Sequence, residues 1–341
     1  MTTITFKPKQ ITKILLTPLQ DRSQEVLSQR FGLTPDASRR TLEAIGKSYG
    51  ITRERVRQIE SAALNTIRRS EIFQERQDIF EELKNIIDSL GSVIVEDELL
   101  SYFSDNENIQ NHIHFYLILG DDFIKHKECD NFKTRWSTNE DIAEEIKNAL
   151  HKLHASLSDE DILPESEIIS KFREKLVEVP VHDDEKNVIY WLSISKIIDK
   201  NPMGEWGLNS SPNIRTKGVK DFAFLVLRQN GSPMHFTEVA GSVSKTFDRK
   251  CHSATCHNEL IKDRRFVLVG RGTYGLSEWG YKRGVVREVI RDILKEEGPL
   301  SKEDVIDRVL KERFLKPNTI VVNLQNKKYF KKTKDGQYTL A

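Results

Sequence analysis

The chain has 341 residues, of which 38% are hydrophobic, and its 53 Lys and Arg nearly balance 52 Asp and Glu. That length calls for roughly two to five folding units, and a mean hydropathy of −0.52 excludes a membrane-embedded protein. Met1 to Gln20 offers no apolar run long enough for a signal peptide or a spanning helix, and three cysteines cannot build a disulfide framework. A cytoplasmic protein without a membrane partner is expected.

The near-zero net charge hides a segregation. Met1 to Phe80 has 14 basic against 9 acidic residues, Glu81 to Lys200 has 13 against 27, and Asn201 to Ala341 has 26 against 16. The two ends suit a nucleic-acid partner and the middle repels one.

In chain order, residues 1–13 are polar without helical periodicity and read as a flexible arm. Residues 14–78 read as a helical module centred on Thr41 to Glu60. A helix can start behind Thr41, whose hydroxyl is a natural N-cap, with Leu42 and Ile45 on one face. Gly46 allows a close helix crossing, and Gly50 takes a turn that a Cβ would strain. Thr52 caps a second helix in which Val56, Ile59, Ala63 and Ile67 recur at three or four residues and bury one stripe. Arg53, Glu54, Arg57 and Gln58 then point outward near its N-terminus, the end that a recognition helix places in the major groove. Arginine pairs bidentately with guanine, glutamate accepts from cytosine N4, and glutamine bridges adenine N6 and N7, so these four are the candidate base-reading residues.

The run Ile51-Thr-Arg-Glu-Arg-Val-Arg-Gln-Ile-Glu60 resembles the −35-reading helix of region 4 of the sigma-70 family of bacterial RNA polymerase. Leu19-Gln-Asp-Arg-Ser-Gln-Glu-Val-Leu-Ser-Gln-Arg-Phe-Gly-Leu33 resembles that region's first helix. The resemblance implies base contacts by Arg53, Glu54, Arg57 and Gln58, and phosphate contacts by Thr41, Leu42, Thr52 and Arg55. It also implies double-stranded DNA and the bacterial RNA polymerase core as partners. Two departures stand out. Ala62, Asn65 and Thr66 occupy positions that are usually basic in the family, and nothing in the chain resembles sigma regions 2 and 3, so a self-sufficient sigma factor is not expected.

Beyond a helix expected from Ile72 to Gly91, one pattern recurs four times: an apolar-periodic helix, a break, a short helix opened by acidic residues, a third helix, and two strand-like runs around a polar turn. The final strands end at Trp136, Leu208, Leu276 and Leu340, which are 72, 68 and 64 residues apart. Three helices and a hairpin in that length predict a winged helix. The units are set at residues 79–139, 140–213, 214–281 and 282–341. The fold class expected is mainly α, a sigma region 4-like helix-turn-helix followed by a tandem array of winged-helix (α+β) domains.

The third unit carries Phe236-Thr-Glu-Val239 and Arg265-Phe-Val-Leu-Val-Gly-Arg-Gly-Thr-Tyr-Gly-Leu-Ser-Glu-Trp279, which resemble the HARE-type helix-turn-helix. That family includes a domain of the RNA polymerase delta subunit and modules fused to restriction and DNA-modification enzymes. In the basic C-terminal half, Arg271 in its Gly-flanked turn and Lys327 and Lys328 are candidate phosphate contacts, with Lys331 and Lys332 beside them.

Two tempting motifs lead elsewhere. Gly270-Arg-Gly-Thr-Tyr-Gly275 fits G-x-G-x-x-G, yet a dinucleotide site needs a helix opening there, and a wing hairpin explains the glycines better. Cys251-His-Ser-Ala-Thr-Cys-His257 lacks the spacing of a closed zinc site, and Cys256 fits a small core residue. No catalytic constellation is present; Glu96, Asp97 and Glu98 are explained by a helix N-terminus. The expectation is a non-enzymatic transcription protein with no cofactor, metal or small-molecule substrate. The alternatives are an accessory DNA-binding subunit of a restriction or DNA-modification system, a regulator independent of polymerase, or a scaffold.

Overall fold

The computed structural model describes residues 4–176, 184–281 and 284–341. It divides into two compact units, residues 1–199 with 206–209 and residues 200–205 with 210–341.

The first unit opens with α1 (Pro8–Leu16), α2 (Asp21–Phe31), α3 (Leu42–Tyr49) and α4 (Arg53–Arg68). Residues 8–13, expected as part of a flexible arm, are helical, with proline at the first turn, where its missing N–H is harmless. One of the three buried positions of α1 is held by a polar residue, Thr12, beside Leu15 and Leu16, which hides the periodicity. Its hydroxyl is hydrogen-bonded to His112 Nδ1 and to the Tyr116 phenol, both at 2.8 Å. The helix expected from Ile72 to Gly91 is two helices, α5 (Glu71–Gln74), capped by Ser70, and α6 (Gln77–Ser89). The chain leaves the helical conformation at Arg76, with φ −114° and ψ 22°.

The order helix, strand, helix, helix, strand, strand then appears. Its members after α6 are β1 (Val93–Val95), α7 (Glu96–Phe103), α8 (Glu107–Leu119), β2 (Ile124–His126) and β3 (Arg135–Ser137). The antiparallel sheet runs β1-β3-β2, with Ile94 and Lys125 both opposite Trp136. A second copy follows in α9 (Glu140–Ser156), α10 (Glu165–Arg173), α11 (Glu185–Ser193), β4 (Ile198–Lys200) and β5 (Trp206–Leu208). Its first strand is reduced to one antiparallel bridge, Leu163 with Trp206.

In the second unit the order recurs as α12 (Val219–Asn230), β6 (Met234–His235), α13 (Phe236–Thr246), α14 (Ser253–Lys262), β7 (Phe266–Gly270) and β8 (Thr273–Leu276). The last copy is α15 (Val286–Glu297), α16 (Lys302–Glu312), α17 (Pro317–Leu324), β9 (Phe330–Lys332) and β10 (Tyr338–Leu340), with Leu300 bridging Tyr338 in place of a first strand. These two copies join through Phe314, whose N–H donates to the Val269 carbonyl at 2.7 Å along the edge of β7. The architecture is mainly α, a helix-turn-helix followed by winged-helix repeats with small antiparallel sheets.

One contact sets how the N-terminal helices are mounted. The third helix of the first winged repeat, α8, is buried along most of its length, including Asn108, Asn111, His112 and His114. A single hydrophobic core runs from Leu15, Leu27 and Phe31 through Ile67 and Phe80 to Phe115 and Trp136, so residues 14–78 and 79–139 share an interior. Polar groups on α8 then fix the alignment. Asn111 donates to the carbonyls of Gly32 at 3.0 Å and Ala37 at 2.9 Å, and accepts from Arg39 Nε at 2.6 Å. Asn108 donates to the Thr34 carbonyl at 2.7 Å, and Arg68 donates to the carbonyls of Ile118 and Leu119. Asn111 is 1% exposed, so these bonds have no water to replace them.

Burial holds both α8 histidines neutral. It depresses the His112 imidazole to about 4, with Lys9 adding to the effect. The same desolvation, with Arg39 nearby, depresses His114 to about 3. Between these values and the ordinary 6.5 the unfolded chain binds protons that the folded chain refuses, so stability is full above about 6.5 and falls as the pH drops towards 4. Urea unfolding of the full chain should therefore show a midpoint that declines between pH 7 and pH 5, and His112→Gln should make the decline shallower. Superimposable profiles for the two proteins would remove His112 from this role. Separately, Asn111→Ala strands two carbonyls and one guanidinium N–H and should cost about 2–4 kcal/mol, read as a lower urea midpoint at pH 7.

Candidate nucleic-acid interface

The exposed end of α4 is built by two caps and one close crossing. Thr41 Oγ1 accepts from Ala44 N–H at 3.1 Å at the start of α3, and Thr52 Oγ1 accepts from Arg55 N–H at 3.2 Å at the start of α4. A Cβ on Gly46 would sit 2.7 Å from the Ile51 carbonyl oxygen, so only glycine lets the turn fold back this tightly. Gly50 takes the left-handed conformation, φ +64°. Val26, Ile45 and Val56 are completely buried and form a small core that ties α2, α3 and α4 together.

That packing leaves Arg53, Glu54, Arg57 and Gln58 exposed on the first turns of α4. In the free protein Glu54, Arg57 and Gln58 are paired with each other or with neighbours. Arg57 donates to both carboxylate oxygens of Glu54, from Nε at 2.9 Å and Nη2 at 2.7 Å. Arg55 Nη1 donates to Gln58 Oε1 at 3.1 Å. The Arg57 guanidinium holds the Glu54 carboxyl below the usual carboxylate range, and the carboxylate raises Arg57 in return. A donor fork and an acceptor thus stand side by side on the first turns of α4, two side-chain types that can each pair with a base edge.

Among the expected phosphate contacts, Thr41, Thr52 and Arg55 are exposed. Leu42 is half-buried and its side chain packs against the small core, so only its backbone N–H, in the first turn of α3, is available to an anion. Arg40, which sequence reasoning did not single out, is exposed beside Thr41. Its backbone N–H donates to the Gln29 carbonyl at 2.8 Å. Its position next to a cap was the available signal. Ala62, Asn65 and Thr66 are all exposed further along α4.

In winged-helix proteins the third helix is the element that enters a groove, and the repeats of this chain differ in whether that helix is free. In the first, α8 is buried against the N-terminal helices and the hairpin is occupied too: Phe132 bridges Ser195, and Lys133 N–H donates to the Ile194 carbonyl at 3.0 Å. In the second, Trp191 of α11 is buried and its indole donates to the Gly91 carbonyl at 2.9 Å. The third and fourth leave more of this helix uncovered. Ala254, Thr255 and Asn258 are exposed on α14, and Asn318, Thr319 and Val322 on α17.

Arg271 is exposed in the two-residue turn between β7 and β8. A Cβ on the next residue, Gly272, would lie 2.5 Å from His235 Nε2, and the Gly272 carbonyl accepts from Phe236 N–H at 2.9 Å. The glycine-rich run is therefore a hairpin pressed against the α13 N-terminus. Cys256 is fully buried, and His257 stacks on Phe236 with ring centroids 4.3 Å apart. Lys327 and Lys328 are exposed in the turn between α17 and β9, at the base of the last hairpin and away from its tip.

The family model described as Sigma-70, region 4 matches residues 15–69. The N-terminal module is a DNA-binding helix-turn-helix of that type. A second model, HARE-HTH, described in part as a restriction endonuclease HTH domain, matches residues 218–279. Two curated relatives, the RNA polymerase sigma factor RpoD of Helicobacter pylori strains 26695 and J99, are each 54% identical over 54 residues, or 16% of this chain. The chain spans 8% of the length of each of those relatives. The family matches agree with both sequence resemblances. No helix among the described residues is long and apolar enough to cross a membrane.

The Gly46 crossing gives a direct test of this geometry. Gly46→Ala pushes a methyl group against a backbone carbonyl, so the turn must open and α4 must tilt. Duplex binding should fall by at least tenfold while far-UV circular dichroism stays close to that of the parent. Unchanged affinity would show that the crossing is not needed to present α4.

Proposed function

We propose that this chain is a non-enzymatic transcription protein that reads a −35-type promoter element with its N-terminal helix-turn-helix and acts together with RNA polymerase core. The observation that carries the reading is the capped, exposed N-terminus of α4, where Arg53, Glu54, Arg57 and Gln58 stand free of the core within the region 4 match. In this reading those four contact base edges. Thr41, Thr52, Arg55 and the Leu42 amide contact the flanking phosphates, and Arg271, Lys327 and Lys328 add sequence-independent phosphate contacts. The first two winged repeats serve as a mount, because their third helices are spent on protein contacts and their segment is strongly acidic. Among the described residues the remaining elements repeat one winged-helix order, and in this reading the chain acts beside a complete initiation factor or a preassembled polymerase. The match of residues 218–279 to a domain described in part by restriction endonucleases favours a second reading, an accessory DNA-binding subunit of a restriction or modification system.

Loss of one bidentate base contact is worth about 1–3 kcal/mol. Arg57→Ala should weaken the selected duplex by that amount and relax preference at one base pair in a binding-site selection. The same motif at the same stringency would remove Arg57 from base reading. Pull-down of purified core polymerase by the full chain tests the partnership, and core supplied with this chain alone should yield no promoter-specific transcript. A transcript from a defined start site would overturn the accessory role.

A further inference from the structure

The last winged repeat holds a feature that duplex binding does not explain. Between the end of α17 and the β9–β10 hairpin lies a pocket of about 430 Å³ whose floor is apolar. Phe330 and the half-buried Tyr338 form its aromatic part, Lys327, Lys331 and Lys332 surround it, and the Gln325 amide stands at one side. Register explains the gathering: Tyr338 lies directly opposite Lys332 across the hairpin, which brings that ammonium to 5.9 Å from the ring centroid. On the neighbouring ring, Tyr329, Arg287 lies 4.3 Å and Lys328 5.6 Å from the centroid.

The lining of this pocket adds positive charge to the repeat with no carboxylate beside it. Elsewhere in the repeat, Arg308 is paired with Glu297 and Arg291 with Asp292. No carboxylate lines the pocket, and among the described residues none of Lys327, Lys328, Lys331 or Lys332 forms an ion pair. Like charges converging on one opening repel one another, and an anion relieves the repulsion. A bare phosphate would use the lysines and leave the aromatic floor empty. A base stacked within a duplex has both faces covered and cannot reach Tyr338.

We propose that this pocket binds one unstacked nucleotide, its base against Tyr338 and its phosphates on Lys327, Lys331 and Lys332, with the Gln325 amide facing the base edge. The same chemistry can be supplied by an unpaired stretch of a DNA strand or by a free nucleoside triphosphate. The strand is the natural source where a duplex bound by the N-terminal module is opened nearby, and to that extent the inference rests on the function proposed above.

The test is fluorescence anisotropy on the full chain with three probes: a labelled homothymidine strand, labelled ATP, and a duplex recovered by binding-site selection. Tyr338→Leu keeps apolar bulk in the core and removes the ring, whereas Tyr338→Phe keeps the stacking face. The leucine variant should lose roughly tenfold in affinity for the homothymidine strand, the scale of one aromatic stack, and the phenylalanine variant should retain it. The double variant Lys331→Gln, Lys332→Gln should flatten the slope of log affinity against log salt by about 1.4, from ~0.7 per phosphate contact on single strands. Binding to the selected duplex should be unchanged by Tyr338→Leu. ATP that binds with the same Tyr338 dependence and displaces the strand would support the site and assign it to the free nucleotide. Strand and ATP affinities both indifferent to Tyr338→Leu, with thermal unfolding matched to the parent, would overturn the proposal. If the strand binds through Tyr338 and selection yields no duplex, the promoter-reading function fails and this site stands.

Discussion

Asn111 makes the mount of the reading helix a matter of hydrogen bonding as well as packing. Apolar contact between α8 and the N-terminal helices would hold them together in several registers, since hydrophobic burial has no direction. A buried amide that must satisfy the carbonyls of Gly32 and Ala37 and the Arg39 guanidinium at once accepts one register. The Thr12, His112 and Tyr116 group adds a second fixed point on the same helix. With α2 locked through its C-terminal Gly32, the small core of Val26, Ile45 and Val56 transmits that position to α3 and α4. The direction in which Arg57 and Glu54 face is thus set some distance away, by buried polar groups on α8 and α1.

One supersecondary order is put to two uses along this chain. The first two repeats spend their third helices on neighbours, and their acidic composition agrees with a surface that nucleic acid does not approach. The third and fourth keep more of the same helix uncovered and stand in the basic segment. The difference is carried by a few residues on one helix face. Asn108, Asn111 and His112 are polar yet buried on α8, whereas Thr255 and Asn258 on α14 and Asn318 and Thr319 on α17 are polar and exposed. Residue type alone does not separate the two cases; the presence of a partner surface does.

That ambiguity also marks how far the sequence could be read. The helix-turn-helix was legible because its signals are local: a cap, a glycine at the crossing, a turn glycine and a stripe of period 3.6 all fall within Thr41 to Ile67 and agree with one another. The repeat order was legible for the same reason, since each helix and hairpin carries its own periodicity. What stayed hidden depends on residues far apart in the chain. Thr12 breaks the apolar pattern of α1, and its partners are 100 and 104 positions away, so a buried helix read as an arm. The break at Arg76 fell in the polar run Gln74 to Asp78, between Phe73 and Ile79, with no glycine or proline to announce it. Leu42 was placed with Ile45 on one helix face by its spacing, and its half-buried side chain packs against the small core.

Charge segregation ties these observations into a division of labour. A base-reading helix needs accurate placement more than it needs net charge, and its own Arg57–Glu54 pair adds nothing to the local sum. Affinity without sequence preference comes from unpaired cations, because each phosphate contact releases a condensed counterion. The chain keeps such cations far from α4 in sequence: among the described residues Lys327, Lys328, Lys331 and Lys332 form no ion pair, while on α9 and α10 Lys147 is paired with Glu144 and Lys171 with Glu167. Surface pairs of that kind contribute little to stability, and they leave the net negative charge of residues 81–200, 13 basic against 27 acidic, unchanged. Under the proposed function, this arrangement would concentrate specificity in the N-terminal module and affinity in the last repeats, with the acidic repeats between them disfavouring non-specific binding.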